Sequence, residues 1–293
     1  MVADMNLRLG VDTLTYHCAL ESGEVDLRSV IEELADLDFD FVQLNAHHLR
    51  HDTERTVEQV RRSADELLLG LTLAGSSVGR AREGDSVEDG ARRVGEWLNL
   101  AEELGSPFVR VSSGFYRNEL WRDAPAIAAE RSYVIRVLQQ VIQANPGNTM
   151  VILENHSDFT PEEYIEIFEE VGSDRVGGFL DLINPVSLLL DPLPVVQRLA
   201  PWAVAGHVKD YRLQSNYIED GFFRRGFEVQ WCYPGEGVAD LQGLLQVLRL
   251  VRPDTPYYLS IEGLDNRAGV ADQRQRLSNS RKLLCELLGN AVQ

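Results

Sequence analysis

The feature that most constrains the fold of this chain is the regular alternation of short apolar runs with stretches of helical periodicity. Eight runs have the length of β-strands and lie at residues 7–14, 39–46, 69–77, 107–114, 149–155, 176–182, 203–210 and 257–263. Strand–helix alternation predicts parallel strands joined by right-handed crossovers. Eight such units in 293 residues predict a single closed (β/α)₈ barrel, a TIM barrel, over residues 1–293.

Local signals support this pattern and weaken its main alternative. Thr160 before Pro161 is typical of a helix N-cap followed by proline at the first helical position. Gly105 predicts the end of a helix over 86–104, and the last helix is expected over 270–288. A doubly wound open sheet often carries a glycine-rich phosphate turn after an early strand. GSSVG at 75–79 is only a weak match to such a turn.

Composition excludes several classes of partner. The formal net charge of −18 disfavours nucleic acid and anionic membranes, which both need basic surface. No run reaches the ~18 apolar residues of a membrane span, and the N-terminus has no apolar signal core. Three widely separated cysteines form no metal-type spacing and no evident disulfide framework. We therefore expect a cytoplasmic protein without nucleic-acid or membrane partners.

Ionisable residues stand where the last four strands end. The segment VILENH at 151–156 is a buried strand pattern that ends in polar residues, and the next three strands end in the same way. The strand-end residues are Glu154 and His156 in the fifth strand, Asp181 in the sixth, His207 in the seventh and Glu262 in the eighth. In a (β/α)₈ barrel these ends meet at one rim, where catalytic residues lie.

Three carboxylates and an imidazole at one rim predict a metal site. Taken singly, Asp181 is better explained as a helix cap or an ion-pair partner. Several carboxylates buried together would repel one another without a cation, and one divalent ion resolves this. Oxygen-rich donors with one imidazole favour Mn²⁺, with Mg²⁺, Co²⁺ or Zn²⁺ as alternatives.

Residues 149–263 resemble the sugar phosphate isomerase/epimerase superfamily, the xylose isomerase-like TIM barrels. The matching segments are LEN, FLDLINP followed by DPLPVVQRLAP, GHVKDY, PGEG and SIEG, and the resemblance extends over nearly the whole chain. It implies that one divalent metal is bound by Glu154, Asp181, His207 and Glu262. DLIN stands where many relatives have DTGN, and Pro185 and Val186 follow Asn184 where epimerases of free ketoses usually carry a histidine. That departure weakens a close ketose-epimerase assignment.

The resemblance also implies a reaction. A metal-dependent isomerase or epimerase of a keto-sugar or keto-polyol would form a metal-stabilised enediolate, with Glu154 and Glu262 as the acid/base pair. This mechanism needs each glutamate to hold the metal through one oxygen and to leave the other free. Lys209 is expected to contact a substrate oxygen, the alternative being an ion pair at the rim with Asp210 or Glu236. His156 is expected to orient Glu154 or to contact substrate, the alternative being a surface histidine.

Further residues are expected to bind the substrate, a small sugar or sugar acid. They are Asn45, His47, Asn184 and Arg224. Arg224 lies in a segment over 210–236 that is predicted to be a long loop after the seventh strand. Long ordered loops are often lids. The aromatic residues of this loop, among them Trp231, would exclude water from the site or bury the subunit interface of a homo-oligomer.

Three other functions compete with the isomerase. A lyase, either a decarboxylase or a dehydratase of an oxidised sugar or sugar acid, would use the same metal site with a different leaving group. An endonuclease IV-like phosphodiesterase is a remote alternative, disfavoured by only six histidines and by the net charge of −18. A sugar-binding barrel without catalysis is disfavoured because binding alone would not need the metal ligands.

Overall fold

A computed structural model of the chain describes residues 6–49, 53–120, 123–217, 224–248, 256–264 and 269–289. The strands of this described part are β1 (Leu7–Asp12), β2 (Phe41–Asn45), β3 (Gly70–Ser77), β4 (Phe108–Ser112), β5 (Met150–Glu154), β6 (Val176–Asp181), β7 (Ala203–Val208), β8 (Asp210–Tyr217), β9 (Arg224–Cys232) and β10 (Tyr257–Ile261). Its α-helices are α1 (His17–Ser22), α2 (Leu27–Asp36), α3 (Thr53–Glu66), α4 (Val87–Leu104), α5 (Ala124–Ala144), α6 (Pro161–Val171), α7 (Pro192–Leu199), α8 (Leu241–Val247) and α9 (Val270–Leu288).

Eight of the strands close into a parallel barrel in the order β1-β10-β7-β6-β5-β4-β3-β2. The ring is completed by β10, which pairs with both β1 and β7. Each barrel strand lies within two residues of its predicted ends. The prediction of a (β/α)₈ barrel is therefore confirmed, and the open sheet is excluded.

The predicted helix signals act as expected. Thr160 caps α6 in a capping box with Glu163, and Pro161 is the first helical residue. Helix α4 ends at Gly105, whose φ of +71° is readily adopted only by a residue without Cβ. None of the helices in the described residues is both long enough and apolar enough to cross a membrane.

The inside of the barrel has two layers, because alternate side chains of a strand point to the same face. The lower layer is a buried apolar cluster of Phe108, Ile152, Phe179 and Ala205. Two residues further along the same four strands come the buried polar side chains of Arg110, Glu154, Asp181 and His207. The Phe179 ring packs edge-on against the His207 ring with centroids 4.5 Å apart. The apolar layer thus forms the floor of a polar layer near the carboxyl ends of the strands.

The segment over 210–236, predicted to be a loop, contains a β-hairpin instead, so this prediction was wrong. Strands β8 and β9 pair antiparallel along their lengths and form a separate two-stranded sheet. The residues of β8 after its second position are all exposed, because the hairpin lies outside the barrel. At the base of the hairpin, Asp210 accepts hydrogen bonds from the backbone N–H groups of Gly235, Gly237 and Ala239.

Candidate metal centre

The three predicted carboxylate ligands each lie close to the fourth predicted ligand, His207, in the polar layer of the barrel. His207 Nδ1 is 3.7 Å from Glu154 Oε1, 3.6 Å from Asp181 Oδ2 and 3.5 Å from Glu262 Oε1. Donor atoms that share one ion through bonds of about 2.0–2.2 Å lie roughly 3–3.6 Å apart. All four side chains are buried. The donor atoms of Glu154, Asp181 and His207 all lie within 4.8 Å of one another, and Glu262 forms a second group of this kind with Asp12 and His207.

Two of these donor atoms have no hydrogen-bond partner among the described residues, namely His207 Nδ1 and Asp181 Oδ2. Asp181 Oδ2 does lie 2.9 Å from Lys209 Nζ, a contact that is an ion pair rather than an aligned hydrogen bond. Asp181 Oδ1 accepts from the backbone N–H groups of Ile183 and Asn184 at 2.8 Å each. Asp181 thus caps the turn after β6 and also directs one oxygen to the centre, where a cation would satisfy it.

His207 is held by a network behind it. Its Nε2 lies 3.1 Å from Asp12 Oδ2, and Gln43 Nε2 donates to the same oxygen at 2.6 Å. Ser260 Oγ donates to Gln43 Oε1 at 3.0 Å, which fixes the orientation of the amide. A proton on Nε2 bonded to Asp12 leaves the Nδ1 lone pair directed at the centre. This carboxylate–histidine arrangement is the one that commonly supports metal-binding histidines.

Two buried cations occupy the second oxygens of the two glutamates. Arg110 Nη1 donates to Glu154 Oε2 at 2.8 Å, and Lys209 Nζ donates to Glu262 Oε2 at 2.5 Å. Burial disfavours the ionised form of Glu154, but Arg110, His207 and His156 together more than offset this and lower the pKa of Glu154 to about 2. Burial likewise opposes the charged form of Lys209, yet Asp181 and Glu262 raise its pKa above the usual value. Neither glutamate has the free second oxygen that the predicted acid/base mechanism needs.

The charges of the polar layer do not balance without a further cation. Four buried carboxylates face two buried permanent cations. They are Asp12, Glu154, Asp181 and Glu262 against Arg110 and Lys209. With His207 neutral the cluster carries two net negative charges, which one divalent ion neutralises. Burial disfavours a charged His207, but Glu262 and Asp12 raise its pKa well above the usual value. Metal and proton therefore compete for Nδ1.

The residues present fit a hard divalent ion. Three carboxylate oxygens and one imidazole nitrogen suit Mn²⁺, Mg²⁺ or Co²⁺, and Zn²⁺ also accepts this set. An ion there would satisfy the buried atoms without partners and cancel the two excess charges.

Lys209 is buried inside the barrel and does not lie at its exposed rim. Its partners are Asp181 and Glu262 rather than Asp210 or Glu236. The ammonium also lies 5.1 Å from the ring centroid of Trp231, near the end of β9. The base of the hairpin therefore reaches the polar layer through an aromatic side chain.

Two side-chain amides that were predicted to bind substrate lie at the site, but they are already hydrogen-bonded to other residues of the polar layer. Asn45 Nδ2 donates to Asp12 Oδ1 at 2.9 Å. Asn184 Nδ2 lies 3.3 Å from Glu154 Oε1 and 3.2 Å from the Asn155 carbonyl oxygen. Both side chains hold the ligand set in place.

The remaining predicted residues are His156, His47 and Arg224. The His156 ring contacts that of Tyr116 with centroids 5.2 Å apart, and His156 helps to lower the pKa of Glu154. His47 lies away from the four ligands, against His17. Arg224 is the first residue of β9, and its side chain lies outside the described part of the structure.

Sequence inspection missed three residues of the polar layer: Asp12, Gln43 and Arg110. Each is an inward-facing residue of an early strand, β1, β2 or β4. The signal that could have revealed them is a single polar residue inside an otherwise apolar run, such as Arg110 in FVRVS.

Comparisons with known proteins agree with this architecture. The model of the xylose isomerase-like TIM barrel family matches residues 31–281. The structure is similar to that of the probable 3-DHS dehydratase AsbF involved in petrobactin synthesis from Bacillus anthracis, with a TM-score of 0.67 and 17% identity over 94% of this chain and 98% of that chain. No curated protein sequence matches the chain.

Two further solved structures share the fold. D-psicose 3-epimerase with D-tagatose from Clostridium cellulolyticum H10 has a TM-score of 0.71 and 12% identity, over 96% of this chain and 99% of that chain. The IOLI protein with a binding zinc atom has a TM-score of 0.71 and 14% identity, over 97% of this chain and 99% of that chain. At these identities the likeness shows the fold.

Proposed function

Because the chain belongs to the family of xylose isomerase-like TIM barrels, we propose that it is a divalent-metal-dependent isomerase or epimerase of a keto-sugar or keto-polyol. The observation that carries the proposal is the convergence of Glu154, Asp181 and Glu262 on His207 Nδ1 with two excess negative charges around them. The solved structures with this fold include an epimerase and a probable dehydratase.

The metal and the protein have separate roles in this proposal. The ion, when bound, supplies a Lewis acid that polarises a carbonyl and its neighbouring hydroxyl. The chain supplies the groups that take and return a proton at the adjacent carbon. Glu154 and Glu262 come from β5 and from the end of β10, with β6 and β7 between them in the barrel, so they approach a bound substrate from different sides.

The contacts of the two glutamates make Glu262 the better proton acceptor. Glu154 Oε2 is held by Arg110, which also reaches Asp12 at 3.5 Å and is therefore fixed from two sides. Glu262 Oε2 is held by Lys209, which also lies 2.9 Å from Asp181 Oδ2. The three donors of its ammonium allow one of them to turn toward a substrate oxygen while Asp181 stays paired. A substrate oxygen that takes over the Lys209 hydrogen bond would release Glu262 Oε2 to accept the proton.

A lyase is the second candidate, and one observation favours it. Because Arg110 holds Glu154 Oε2 inside the barrel, the site offers one accessible base more readily than two. An elimination needs one base, and Lys209 would donate a hydrogen bond to the leaving oxygen.

Solvent isotope exchange separates these reactions and tests the proposed function. In D₂O, with Mn²⁺ and a panel of keto-sugars, keto-polyols and sugar acids, the recovered sugar should gain deuterium at the carbon next to the carbonyl, because the base exchanges its proton with solvent. Mass spectrometry and NMR would locate the label. Release of carbon dioxide or of a dehydrated product without labelled sugar would replace the isomerase with the lyase.

Substitution of Lys209 should lower catalysis without removing metal. Lys209→Met removes a charge-assisted hydrogen bond to a substrate oxygen, a loss of roughly 1.5–3 kcal/mol or about one to two decades in kcat/KM. Metal content should stay near wild type, because Asp181 and Glu262 keep their charges. The matched control is Lys282→Met, which changes the other, exposed lysine of the chain. Full activity of Lys209→Met would restrict Lys209 to a structural role.

A further inference from the structure

Three histidines meet at the rim formed by the ends of β1 and β2. His17 is the first residue of α1, which follows β1 and a short 3-10 turn. His47 and His48 lie in the 3-10 turn Ala46–Leu49 directly after β2. Strands β1 and β2 are neighbours in the barrel, so the topology brings the three imidazoles together.

Two ring nitrogens lie within hydrogen-bonding distance of the same nitrogen of His17. His17 Nδ1 is 3.1 Å from His48 Nε2 and 3.2 Å from His47 Nε2. The His47 and His48 rings have centroids 3.9 Å apart. A ring nitrogen has one hydrogen-bonding position, which either donates or accepts. His17 Nδ1 therefore cannot bond to both neighbours at once, and another interaction must account for three nitrogens in one place.

The separations match those of a zinc ligand set. A zinc ion about 2.0–2.1 Å from each of several tetrahedral ligands holds those ligands roughly 3.3 Å apart. The nitrogen pairs that involve His17 differ from this by only a few tenths of an ångström. Glu21, one turn along α1 from His17, brings a carboxylate oxygen within 4.8 Å of the imidazole nitrogens. Glu21 is exposed whereas the histidines are half-buried, so a carboxylate or a water molecule can complete the set.

The cluster also has the support that metal-binding histidines usually need. His48 Nδ1 lies 2.9 Å from Thr13 Oγ1, so its ring is held from the nitrogen that faces away from His17. Thr13 Oγ1 in turn accepts a hydrogen bond from the backbone N–H of Asn45 at 2.9 Å. A bond on the far nitrogen fixes the orientation of a ligating imidazole.

We propose that His17, His47 and His48, with Glu21 or water, form a second metal site that takes Zn²⁺. Its donor set is rich in nitrogen, whereas the centre on β5, β6, β7 and β10 is rich in oxygen. Imidazole donors favour late first-row ions such as Zn²⁺ over Mn²⁺ or Mg²⁺. The site ties the segment after β1 to the segment after β2, and it does not depend on the reaction proposed above.

Zinc stoichiometry tests this proposal. Protein stripped with chelator would be titrated with Zn²⁺, desalted and assayed for metal. Wild type should retain two equivalents, because each centre takes one ion. His17→Ala should retain one equivalent, and Asp181→Asn should also retain one, at the histidine cluster. The matched control Cys18→Ser, which changes the exposed neighbour of His17 outside both sets, should retain two. Circular dichroism would confirm that each variant is folded.

X-ray absorption at the zinc edge identifies the ligands. Zinc in Asp181→Asn should show scattering from three imidazoles. The second site would be overturned if wild type retained one equivalent of zinc and His17→Ala retained the same amount. It would also be overturned if the zinc in Asp181→Asn were bound by fewer than two imidazoles. One equivalent that is lost in His17→Ala but kept in Asp181→Asn would support the second site and instead refute the oxygen-rich centre.

Discussion

Replacing Glu262 with glutamine should lower kcat by roughly 10²–10⁴-fold while metal content at saturating Mn²⁺ stays near that of wild type. The amide oxygen can still coordinate, but it cannot accept the proton from the substrate. The single amide oxygen cannot bind both the metal and Lys209, whose Nζ lies 2.5 Å from Glu262 Oε2 in the wild type. We therefore do not expect tighter substrate binding to offset the loss of kcat. Steady-state kinetics with elemental analysis of the same sample would measure both quantities.

The matched control for this substitution is Glu236→Gln. Glu236 lies just after the hairpin and pairs with Arg276 and Arg212 outside the polar layer. Its neutralisation should leave kcat near wild type. A normal kcat in Glu262→Gln would show that Glu262 is not the base, and the two-glutamate mechanism would then fail in this chain.

Replacing Arg110 with methionine should destabilise the metal-free protein by about 3–5 kcal/mol, the usual result of removing one partner from a buried charge pair. Arg110 is only 8% exposed, and its loss leaves Glu154 and Asp12 without their shared cation. Urea unfolding of chelator-treated protein at pH 7 would give the difference. The control is Arg117→Met, because Arg117 pairs with Glu163 in a more exposed position and should contribute up to about 1 kcal/mol.

The pH dependence of the stability lost in Arg110→Met distinguishes ion pairing from packing as its cause. The folded protein lowers the pKa of Glu154 from 4.5 to about 2, because Arg110, the largest of the lowering contributions, acts with His207 and His156 against the effect of burial. A carboxylate whose folded pKa is lowered contributes stability above its unfolded pKa and loses it as pH falls through the folded value. The deficit of Arg110→Met should therefore be complete at neutral pH and shrink as pH falls from 4.5 towards 2. A deficit that does not change with pH would assign Arg110 to packing over the Phe179 ring.

The barrel could be predicted because every strand of it is a short apolar run. In a parallel barrel each strand is covered by helices on the outside and by side chains on the inside, so its sequence reads as an apolar segment. The hairpin of β8 and β9 escaped prediction because its strands are not continuous apolar runs. Apolar and polar residues alternate in them, as in Phe227, Val229 and Trp231 of β9, and this weaker signal of an exposed antiparallel pair was interpreted as a loop.

The centre could be predicted only where function lies at a strand end. Glu154, Asp181, His207 and Glu262 follow apolar runs, and the structure brings the three carboxylates to between 3.5 and 3.7 Å from His207 Nδ1. Arg110 and Asp12 were missed because they belong to early strands, where a lone polar residue gives no sign of its partner. Arg110 meets Glu154 across 44 residues and approaches Asp12 across 98 residues, and only the closure of the barrel establishes those contacts. For the same reason, the sequence could not predict that both glutamate side chains pair with buried cations.

The most direct measurement is anomalous diffraction at the manganese edge from a crystal of the protein grown with Mn²⁺. The structure predicts one strong peak in the barrel, about 2.0–2.3 Å from His207 Nδ1, Asp181 Oδ2, Glu154 Oε1 and Glu262 Oε1. It also predicts that Arg110 and Lys209 remain on the second oxygens of the two glutamates. A barrel without a peak at saturating Mn²⁺, or a peak bound by neither His207 nor Asp181, would contradict the assignment of these four residues as a metal centre.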